Sequence, residues 1–333
     1  MNSYKVLNKQ SYSIGDYSIV PIRFEDRYDI MKWRNEQIYH LRQSKPLTES
    51  DQERYFSNVV SKLFEEETPN QLLFSYLKNG ECIGYGGLVH INWLDKNAEI
   101  SFIMNTELEK NFFGLHWQTF LRLIQKIAFE DLSLHKIYTF AFDLRPHLYE
   151  VIEKCGFIKE AVLKEHCIFN YEFKDVVIHS IINKLRLRIA TTKDNDKTFE
   201  WATDPQIRKY SFNQSQIRKE EHGKWFKSKI EDHDCHYYIL ENILGTPLGS
   251  IRLDLNENEA MISYLIDSSF FGKGLGTEIL ILIEDEIVSS NLKPLRLVGL
   301  VQKENAASIR IFNKLGYNTT TENGVLKFTK IIQ

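Results

Sequence analysis

Hydrophobic and polar residues alternate in several short stretches of the chain, and such alternation is typical of β-strands that bury one face. The predicted strands form two series: residues 72–77, 83–90 and 99–104 in the first half, and residues 237–240, 248–253 and 261–266 in the second. A helical stretch, a strand, a second helical stretch and a further strand follow each series. This order predicts a mixed α/β sheet in each half.

The two halves repeat the same landmarks in the same order, which indicates a duplicated domain. Trp33 and its neighbours correspond to Trp201 and its neighbours. Two glycine pairs share one offset, since 274 − 114 = 316 − 156 = 160. The apolar runs 176–182 and 185–189 adjoin without a linker rich in Pro, Gly or Ser. We predict an N-terminal domain over residues 1–184 and a C-terminal domain over residues 185–333.

Length and composition agree with two ordinary globular domains. The chain has 333 residues, 43% hydrophobic and 26% charged, whereas single cores stop growing near about 250–300 residues. A formal net charge of −3 gives no global cationic field, so we expect neither nucleic acid nor a membrane as partner. Four cysteines without metal-ligand spacing, and no apolar leader or membrane-spanning run, predict a cytoplasmic protein with reduced thiols and no metal.

A glycine-rich turn in the second half is typical of an anion-binding site. It follows the predicted strand 261–266 and leads into a helix, and it reads Phe271-Gly272-Lys273-Gly274-Leu275-Gly276-Thr277. Glycines let successive backbone N–H groups converge, and a helix N-terminus adds about half a positive charge. Lys273 adds a point charge for a phosphate. The alternative is a structural turn without a ligand, because such turns are common before helices.

A second element follows the strand predicted at 295–301. Asn305 and Ser308 begin a helix with Phe312 on its apolar face, and Gly316 ends it. From the residues alone, Asn305 and Ser308 are helix caps.

Together these elements resemble the GNAT superfamily of acetyl-coenzyme A dependent N-acetyltransferases. Residues 271–276 match the glycines of its pyrophosphate motif, [Q/R]-x-x-G-x-[G/A], with Phe271 in place of Gln or Arg. Residues 305–317 match its downstream motif, N-x-x-[S/A]-x-x-x-[Y/F]-x-x-x-G-[F/Y]. The resemblance implies two tandem GNAT-like acyl-CoA N-acyltransferase domains whose central parallel strands part after Ile266. The residues it implies for acetyl-CoA are Ile266, Phe271, Gly272, Lys273, Gly274, Leu275, Gly276, Thr277, Asn305, Ser308 and Phe312.

The first half carries the same motifs in degenerate form. Gly114-Leu115 leads its helical stretch, and His116 stands where the loop has its last glycine. Arg145 stands at the position of the motif Asn and Leu148 at that of the motif Ser. Residues 98–102 and 156–176 nevertheless resemble ribosomal-protein-type members of the family. The first half is therefore either a supporting pseudo-enzyme or a second active site.

Acetyl transfer from a thioester to an amine needs a proton acceptor for the ammonium group and a proton for the departing thiolate. The candidate acceptors are Asp254 and Glu259 in the second half and Glu99 in the first. The family commonly uses a Tyr as the acid seven residues after the motif Asn, where this chain has Phe. In the second half the role passes to Tyr264 on the strand or to water, or is not needed, and Tyr149 offers a hydroxyl in the first.

The segment before the predicted hairpin lines the acceptor pocket in this family, and here it looks like that of acetyltransferases acting on 4-amino nucleotide sugars. Arg208 suits a diphosphate, and Trp201 and Tyr210 suit a sugar or base face. Trp33 and Arg34 occupy the same place in the first half. The alternative is that the tryptophans pack helices and Arg208 is a surface cation.

These observations predict an acetyl-CoA dependent N-acetyltransferase acting on a primary amine, with a nucleotide-linked amino sugar as the acceptor. A protein N-terminus and a small amine such as a polyamine are alternatives. A non-catalytic module that senses coenzyme A is an alternative of another class. The expected partner is a small-molecule amine, and a homodimer stays open.

Overall fold

The computed structural model describes residues 3–41, 43–289, 296–322 and 324–332. The chain divides into two compact units, Met1–Asn183 and Lys184–Gln333, called the first and second domain below. Each has one mixed sheet with helices packed against it. The predicted mixed α/β fold class is confirmed.

The first domain has an eight-stranded sheet in the order β1-β2-β3-β4-β5-β6-β8-β7, with β5 and β6 as its parallel pair. The strands are β1 Tyr12–Ile14, β2 Tyr17–Pro21, β3 Leu72–Lys78, β4 Glu81–Asn92, β5 Asn97–Met104, β6 Lys136–Phe142, β7 Ile158–Phe169 and β8 Glu172–Ile182. The α-helices are α1 Arg27–Glu36, α2 Glu49–Tyr55, α3 Ser61–Leu63, α4 Thr106–Lys126 and α5 Tyr149–Glu153.

The second domain repeats this plan with seven strands in the order β14-β15-β13-β12-β11-β10-β9, and β12 and β13 form the parallel pair. The strands are β9 Arg186–Ile189, β10 Cys235–Glu241, β11 Pro247–Asn256, β12 Glu259–Ile266, β13 Arg296–Val301, β14 Asn318–Glu322 and β15 Val325–Ile331. The α-helices are α6 Asn195–Thr203, α7 Pro205–Arg208, α8 Lys219–Glu231, α9 Leu275–Ser289 and α10 Ala306–Lys314. Leu295, where the sequence predicts β13 to begin, lies outside the described residues.

Local chemistry explains several element boundaries. Asn79 and Gly80 have φ of +49° and +86°, the conformation of the tight turns that join antiparallel strands, and they close the β3–β4 hairpin. Thr48 and Asp51 form a reciprocal capping box at the start of α2. Asn105 caps α4, since its Oδ1 accepts the N–H of Glu107 at 2.9 Å.

The glycine position of the first domain differs from the sequence prediction. Residues 111–117, which align with the glycine-rich turn, lie inside the 21-residue helix α4. Gly114 is therefore helical and does not lead the helix, which begins eight residues earlier at Thr106 (114 − 106 = 8). The physical reason is the Asn105 cap with acidic residues in the first turn, which starts the helix directly after β5.

The second domain buries one main core between the sheet and its helices. Ile279, Leu280 and Ile283 of α9 pack against Ile251 and Leu253 of β11. Fully burying a side chain of this size stabilises the fold by about 1.5–3 kcal/mol. Within the described residues, no helix is both long enough and apolar enough to cross a membrane.

Candidate active site

The central parallel strands of the second domain separate part-way along their length. They are paired from Glu259 opposite Arg296 to Ile262 opposite Gly299. Among the described residues, 263–266 have no partner on β13. The predicted parting after Ile266 is therefore wrong by four residues (266 − 262), and the strands separate within β12. Backbone N–H and C=O groups left unpaired here are available to a ligand with amide groups.

The glycine-rich turn follows this open segment of β12. Gly272 and Gly274 have φ of +77° and +84°, which glycine adopts without strain. A Cβ at either position would meet no atom within 4 Å. Glycine is therefore required by the backbone conformation and not by a lack of room for a side chain. Neither glycine N–H has a hydrogen-bond partner among the described residues. Two free N–H groups directly before α9 form a turn that suits an anion.

The other residues of the turn are exposed or half-buried. Phe271 is 47% exposed, and the Lys273 ammonium lies 5.2 Å from the centroid of the Phe270 ring. Thr277 donates its N–H to the Gly274 carbonyl at 3.0 Å, as the first turn of α9 requires. Leu275 is half-buried and Ile266 buried.

Tyr264 and the α10 helix meet across the opening. The Tyr264 hydroxyl donates to Ser308 Oγ at 3.0 Å, and Asn305 Oδ1 caps α10 by accepting the Ser308 N–H at 3.1 Å. Burial raises the pKa of Tyr264 above its usual range, although the Ser308 bond opposes the rise. The hydroxyl is therefore protonated at neutral pH and can donate a proton.

Phe312 belongs to the core and is only 2% exposed. Its ring stacks on Phe328 at 4.9 Å and covers Gly299, where a Cβ would lie 2.5 Å from the ring. The prediction that Phe312 contacts the cofactor is thus corrected, because neighbouring rings and β13 already cover it. Gly276 permits a close approach of α9 to α10, since a Cβ there would lie 2.7 Å from Ile311 Cδ1.

Comparisons with known proteins agree with this geometry. A family model described as an acetyltransferase (GNAT) domain matches residues 19–178, and a second with the same description matches residues 184–318. The chain belongs to the GNAT acetyltransferase family. It contains two tandem domains of that family, and it is an acetyl-CoA dependent N-acetyltransferase.

Solved structures similar to half of this acetyltransferase include polyamine enzymes. Spermidine N-acetyltransferase from Vibrio cholerae, in complex with CoA and spermine, is 20% identical with a TM-score of 0.45, and the match covers 51% of this chain and 96% of that one. The same enzyme's dodecameric intermediate state is 22% identical with a TM-score of 0.43, covering 51% and 95%. A domain from Methanocaldococcus jannaschii is 22% identical with a TM-score of 0.40, covering 45% and 99%.

The second domain of this GNAT protein combines an open strand edge with a glycine-rich turn. The free N–H groups of Gly272 and Gly274 suit the pyrophosphate, and the open edge of β12 suits the amides of the pantetheine arm. The first domain has a similar opening, because β5 and β6 are paired only from Asn97 opposite Lys136 to Glu99 opposite Tyr138. It lacks the turn, however, since α4 replaces it. His116 is buried on α4 with Nδ1 3.3 Å from the Tyr76 hydroxyl.

One residue at the entrance to the turn was not singled out from the sequence. Asp267 is 7% exposed, and its Oδ2 binds Trp201 Nε1 at 2.8 Å and Lys197 Nζ at 2.9 Å. Its Oδ1 accepts the N–H of Ser269 at 2.9 Å and the Ser269 hydroxyl at 2.6 Å. Burial opposes ionisation, but these donors outweigh it and lower the pKa of Asp267 to about 2. The sequence signal that could have identified Asp267 is its position directly after an apolar strand.

The two carboxylates predicted as proton acceptors in the second domain bind cations away from the opening. Asp254 lies on β11 opposite Met261 and contacts Lys229 Nζ at 2.7 Å and Arg252 Nε at 2.8 Å. Burial raises the pKa of Asp254, but the two cations reverse this and lower it overall. Glu259 begins β12 at its paired end and faces Arg296 at 3.3 Å. Both lie beside the part of β12 that is still paired with β13.

The predicted acceptor residues of the second domain divide into two groups. Trp201 is 1% exposed and bound to Asp267, so it packs inside the domain and cannot face an acceptor. Arg208 donates to the backbone carbonyls of Ala202, Asn213 and Ser215 and thereby holds the segment together. Tyr210 is half-buried, and the Lys209 ammonium lies 5.3 Å from its ring centroid.

This segment is attached to both sides of the opening. Gln302, directly after β13, donates its side-chain amide to the Ser211 carbonyl at 3.1 Å. Ser268, two residues after the end of β12, donates its hydroxyl to Asp204 at the start of α7. Residues 204–211 are therefore positioned beside the opening.

Three of the four site residues predicted in the first domain line a cavity of about 860 Å³ in that domain's opening: Glu99, Tyr149 and Arg34. The fourth, Trp33, does not line it. Glu99 lies where β5 and β6 separate and contacts His90 Nδ1 at 2.9 Å. The Tyr149 hydroxyl donates to Asp143 at 2.9 Å. Arg34 also lines the cavity, whereas Trp33 is 3% exposed and packs in the core. Glu99 is the third residue of β5, and the third residue of the equivalent strand β12 is Met261. The second domain therefore has no carboxylate at the position that corresponds to Glu99.

Proposed function

We propose that the second domain is the catalytic one and that it acetylates the amino group of a nucleotide-linked amino sugar. The observation that supports this assignment is the turn at Gly272 and Gly274, whose N–H groups precede α9 and have no hydrogen-bond partner in the part of the chain that the structure describes. The first domain has a helix in its place.

The described residues suggest a division of roles in the reaction. When bound, acetyl-CoA supplies the acetyl thioester. Gly272 and Gly274 would hold its pyrophosphate through their N–H groups, and Asn305 and Ser308 would lie along its arm. Tyr264 is the proposed proton donor for the leaving sulfur, because it lies on the open segment of β12 and its hydroxyl is beside Ser308. Asp254 and Glu259 bind cations, so the ammonium group would lose its proton to bulk solvent through water in the open cleft.

Charge near the opening supports an acceptor that carries phosphate. The segment 204–211 contains Arg208 and Lys209 against Asp204, a formal balance of 2 − 1 = +1. A polycationic amine would be repelled by this segment, whereas a diphosphate would be attracted. The half-buried Tyr210 offers a ring face for a sugar or base.

The cofactor assignment can be tested by substitution in the turn. Gly274→Ala places a side chain on a residue with φ of +84°, so the turn must distort. We expect the KM for acetyl-CoA to rise about tenfold or more, as for the loss of one or two charge-assisted hydrogen bonds. Gly245→Ala is the matched control, because Gly245 has φ of +77° and equally open surroundings in the β10–β11 turn. Equal effects of the two substitutions would contradict the assignment.

The acceptor can be tested separately by thiol release. The panel is a nucleotide-linked 4-amino sugar, the free amino sugar, spermidine and a peptide with a free N-terminus. We expect the highest kcat/KM for the nucleotide-linked sugar and a loss of at least tenfold without the nucleotide. A preference for spermidine would reject the sugar acceptor while leaving the cofactor assignment intact.

A further inference from the structure

A strap formed by residues 204–211 spans the gap between the two separated strands of the second domain. At its start, Asp204 accepts the hydroxyl of Ser268, which lies two residues after β12. At its end, the Ser211 carbonyl accepts the side-chain amide of Gln302 at 3.1 Å, and Gln302 directly follows β13. The strands have already separated before these positions, so the two bonds hold the strap across the opening.

Hydrogen bonds within the strap give it a defined shape. The N–H of Gln206 bonds to Asp204 Oδ1 at 2.7 Å, and the N–H groups of residues 207–211 bond to carbonyls three or four residues earlier. The Arg208 guanidinium adds three bonds to backbone carbonyls that precede and follow the strap. A helix as short as α7 is not stable alone in water. The strap is therefore a small ordered unit whose place in the domain depends on the bonds at its ends.

The end bond from Gln302 can be removed without altering the residues proposed to hold acetyl-CoA. Gln302 is half-buried, and its main-chain carbonyl separately accepts the Asn305 N–H at 3.0 Å. A substitution of the side chain leaves that bond and the Asn305 cap of α10 in place. Ser268 is less suitable, because it lies only three residues before Phe271 in the glycine-rich turn (271 − 268 = 3).

The place of the strap matters to the amine because the strap borders the opening that holds the Tyr264 hydroxyl. The strap carries the half-buried Tyr210 and, 5.3 Å from its ring centroid, the Lys209 ammonium. A strap that is loose before binding must be ordered when the acceptor binds, and ordering a loop weakens binding.

We propose that Gln302 is a positioning residue for the acceptor: it fixes the strap across the opening and thereby holds Lys209 and Tyr210 where the acceptor approaches the thioester. The inference rests on the proposal that the second domain is the catalytic one. It does not depend on which amine is the acceptor.

Steady-state kinetics of thiol release on the full chain test this role with Gln302→Met, which keeps the length of the side chain but removes the amide donor. The acceptor is whichever of the nucleotide-linked 4-amino sugar, the free amino sugar, spermidine and the peptide gives the highest kcat/KM with the wild type. We expect the KM for this acceptor to rise about three- to tenfold, as for the loss of one hydrogen bond, while kcat and the KM for acetyl-CoA stay within about twofold.

Hydrogen exchange of the backbone amides of residues 206–211 is the structural readout, because these N–H groups are bonded within the strap. Gln302→Met should speed their exchange several-fold and leave the buried amides of residues 279–283 in α9 unchanged. Gln214→Met is the matched control. The Gln214 amide also donates to a backbone carbonyl, that of Lys209 at 3.3 Å, but this bond joins the strap to neither strand. The acceptor KM of Gln214→Met should equal that of the wild type.

Several results would overturn the proposal. These are an unchanged acceptor KM or unchanged exchange in Gln302→Met, an equal rise in the KM for acetyl-CoA, or the same acceptor KM in Gln302→Met and Gln214→Met. A failure of the catalytic assignment is recognised separately, because Gly274→Ala would then leave the KM for acetyl-CoA unchanged.

Discussion

Asp267 connects the core of the second domain to its glycine-rich turn, and its substitution is the most informative test of how that turn is held. Asp267→Asn keeps the size of the side chain but turns Oδ2 into an amide nitrogen. That nitrogen would face the donors Trp201 Nε1 and Lys197 Nζ, which now lie 2.8 and 2.9 Å from Oδ2. One side of the buried cluster would therefore hold donors without an acceptor, and the segment Ser268–Phe270 would lose its anchor.

The expected magnitude follows from the pKa of Asp267. Its fall from 3.8 to about 2 corresponds to about 2–3 kcal/mol of stabilisation of the ionised form at neutral pH, at roughly 1.4 kcal/mol per pKa unit. Unsatisfied buried donors add about 1 kcal/mol. We expect Asp267→Asn to lower the free energy of unfolding of the second domain by about 3 kcal/mol at pH 7 and to raise the KM for acetyl-CoA.

The pH dependence is a second readout. Because the folded-state pKa is lowered, the stabilisation is complete above the unfolded-state value of 3.8 and disappears as the pH falls through about 2. The difference in stability between wild type and Asp267→Asn should therefore be constant from pH 5 to 7 and shrink from pH 4 towards pH 2.

A matched control separates burial from simple ion pairing. Asp196, on the same helix as Lys197, pairs with Lys219 at 2.9 Å, the same distance as the Asp267–Lys197 pair, but its side chain is 76% exposed. Asp196→Asn should leave urea unfolding and the KM unchanged, because exposed ion pairs contribute little. If Asp267→Asn were as neutral as this control, the anchoring role would be refuted.

Two further predictions follow from packing and from burial. Gly299→Ala would place a Cβ 2.5 Å from the Phe312 ring and should lower the free energy of unfolding, measured in urea, by about 2 kcal/mol. Adding Phe312→Leu should recover much of this loss. If the effects of the two substitutions were strictly additive, the contact would be contradicted. Burial raises the pKa of Cys82 to about 12. At pH 8 the Cys82 thiol should therefore react with iodoacetamide at least about a hundredfold more slowly in the folded chain than in urea. Equal rates in the two conditions would disprove the effect of burial.

Much of the fold and part of the site could be predicted because they depend on local patterns. Alternating strands, the repeated landmarks and the order of elements led to two mixed α/β domains, and both short motifs of the second domain indicated the GNAT family. The turn at Gly272 and Gly274 belongs to this group, because positive φ is a local property of glycine.

The roles of individual polar and aromatic side chains could not be predicted in the same way. Trp201 is of a residue type that often contacts an acceptor sugar, but its indole is buried against Asp267. Asp254 is of a residue type that can act as a base. It is bound, however, by Lys229 from α8, which lies 25 residues away along the chain (254 − 229 = 25). Such pairings depend on which elements pack together, and a local pattern carries no information about that.

The sequence by itself therefore determined the duplication, the fold class and the glycine-rich turn, since each follows from periodicity or from short motifs. Only the tertiary structure decided where β12 and β13 separate and that the equivalent of the turn in the first domain is a continuous helix. It also revealed the first-domain cavity with Arg34 beside it. The physical reason is that strand register, burial and charge pairing are settled by distant residues that folding brings together.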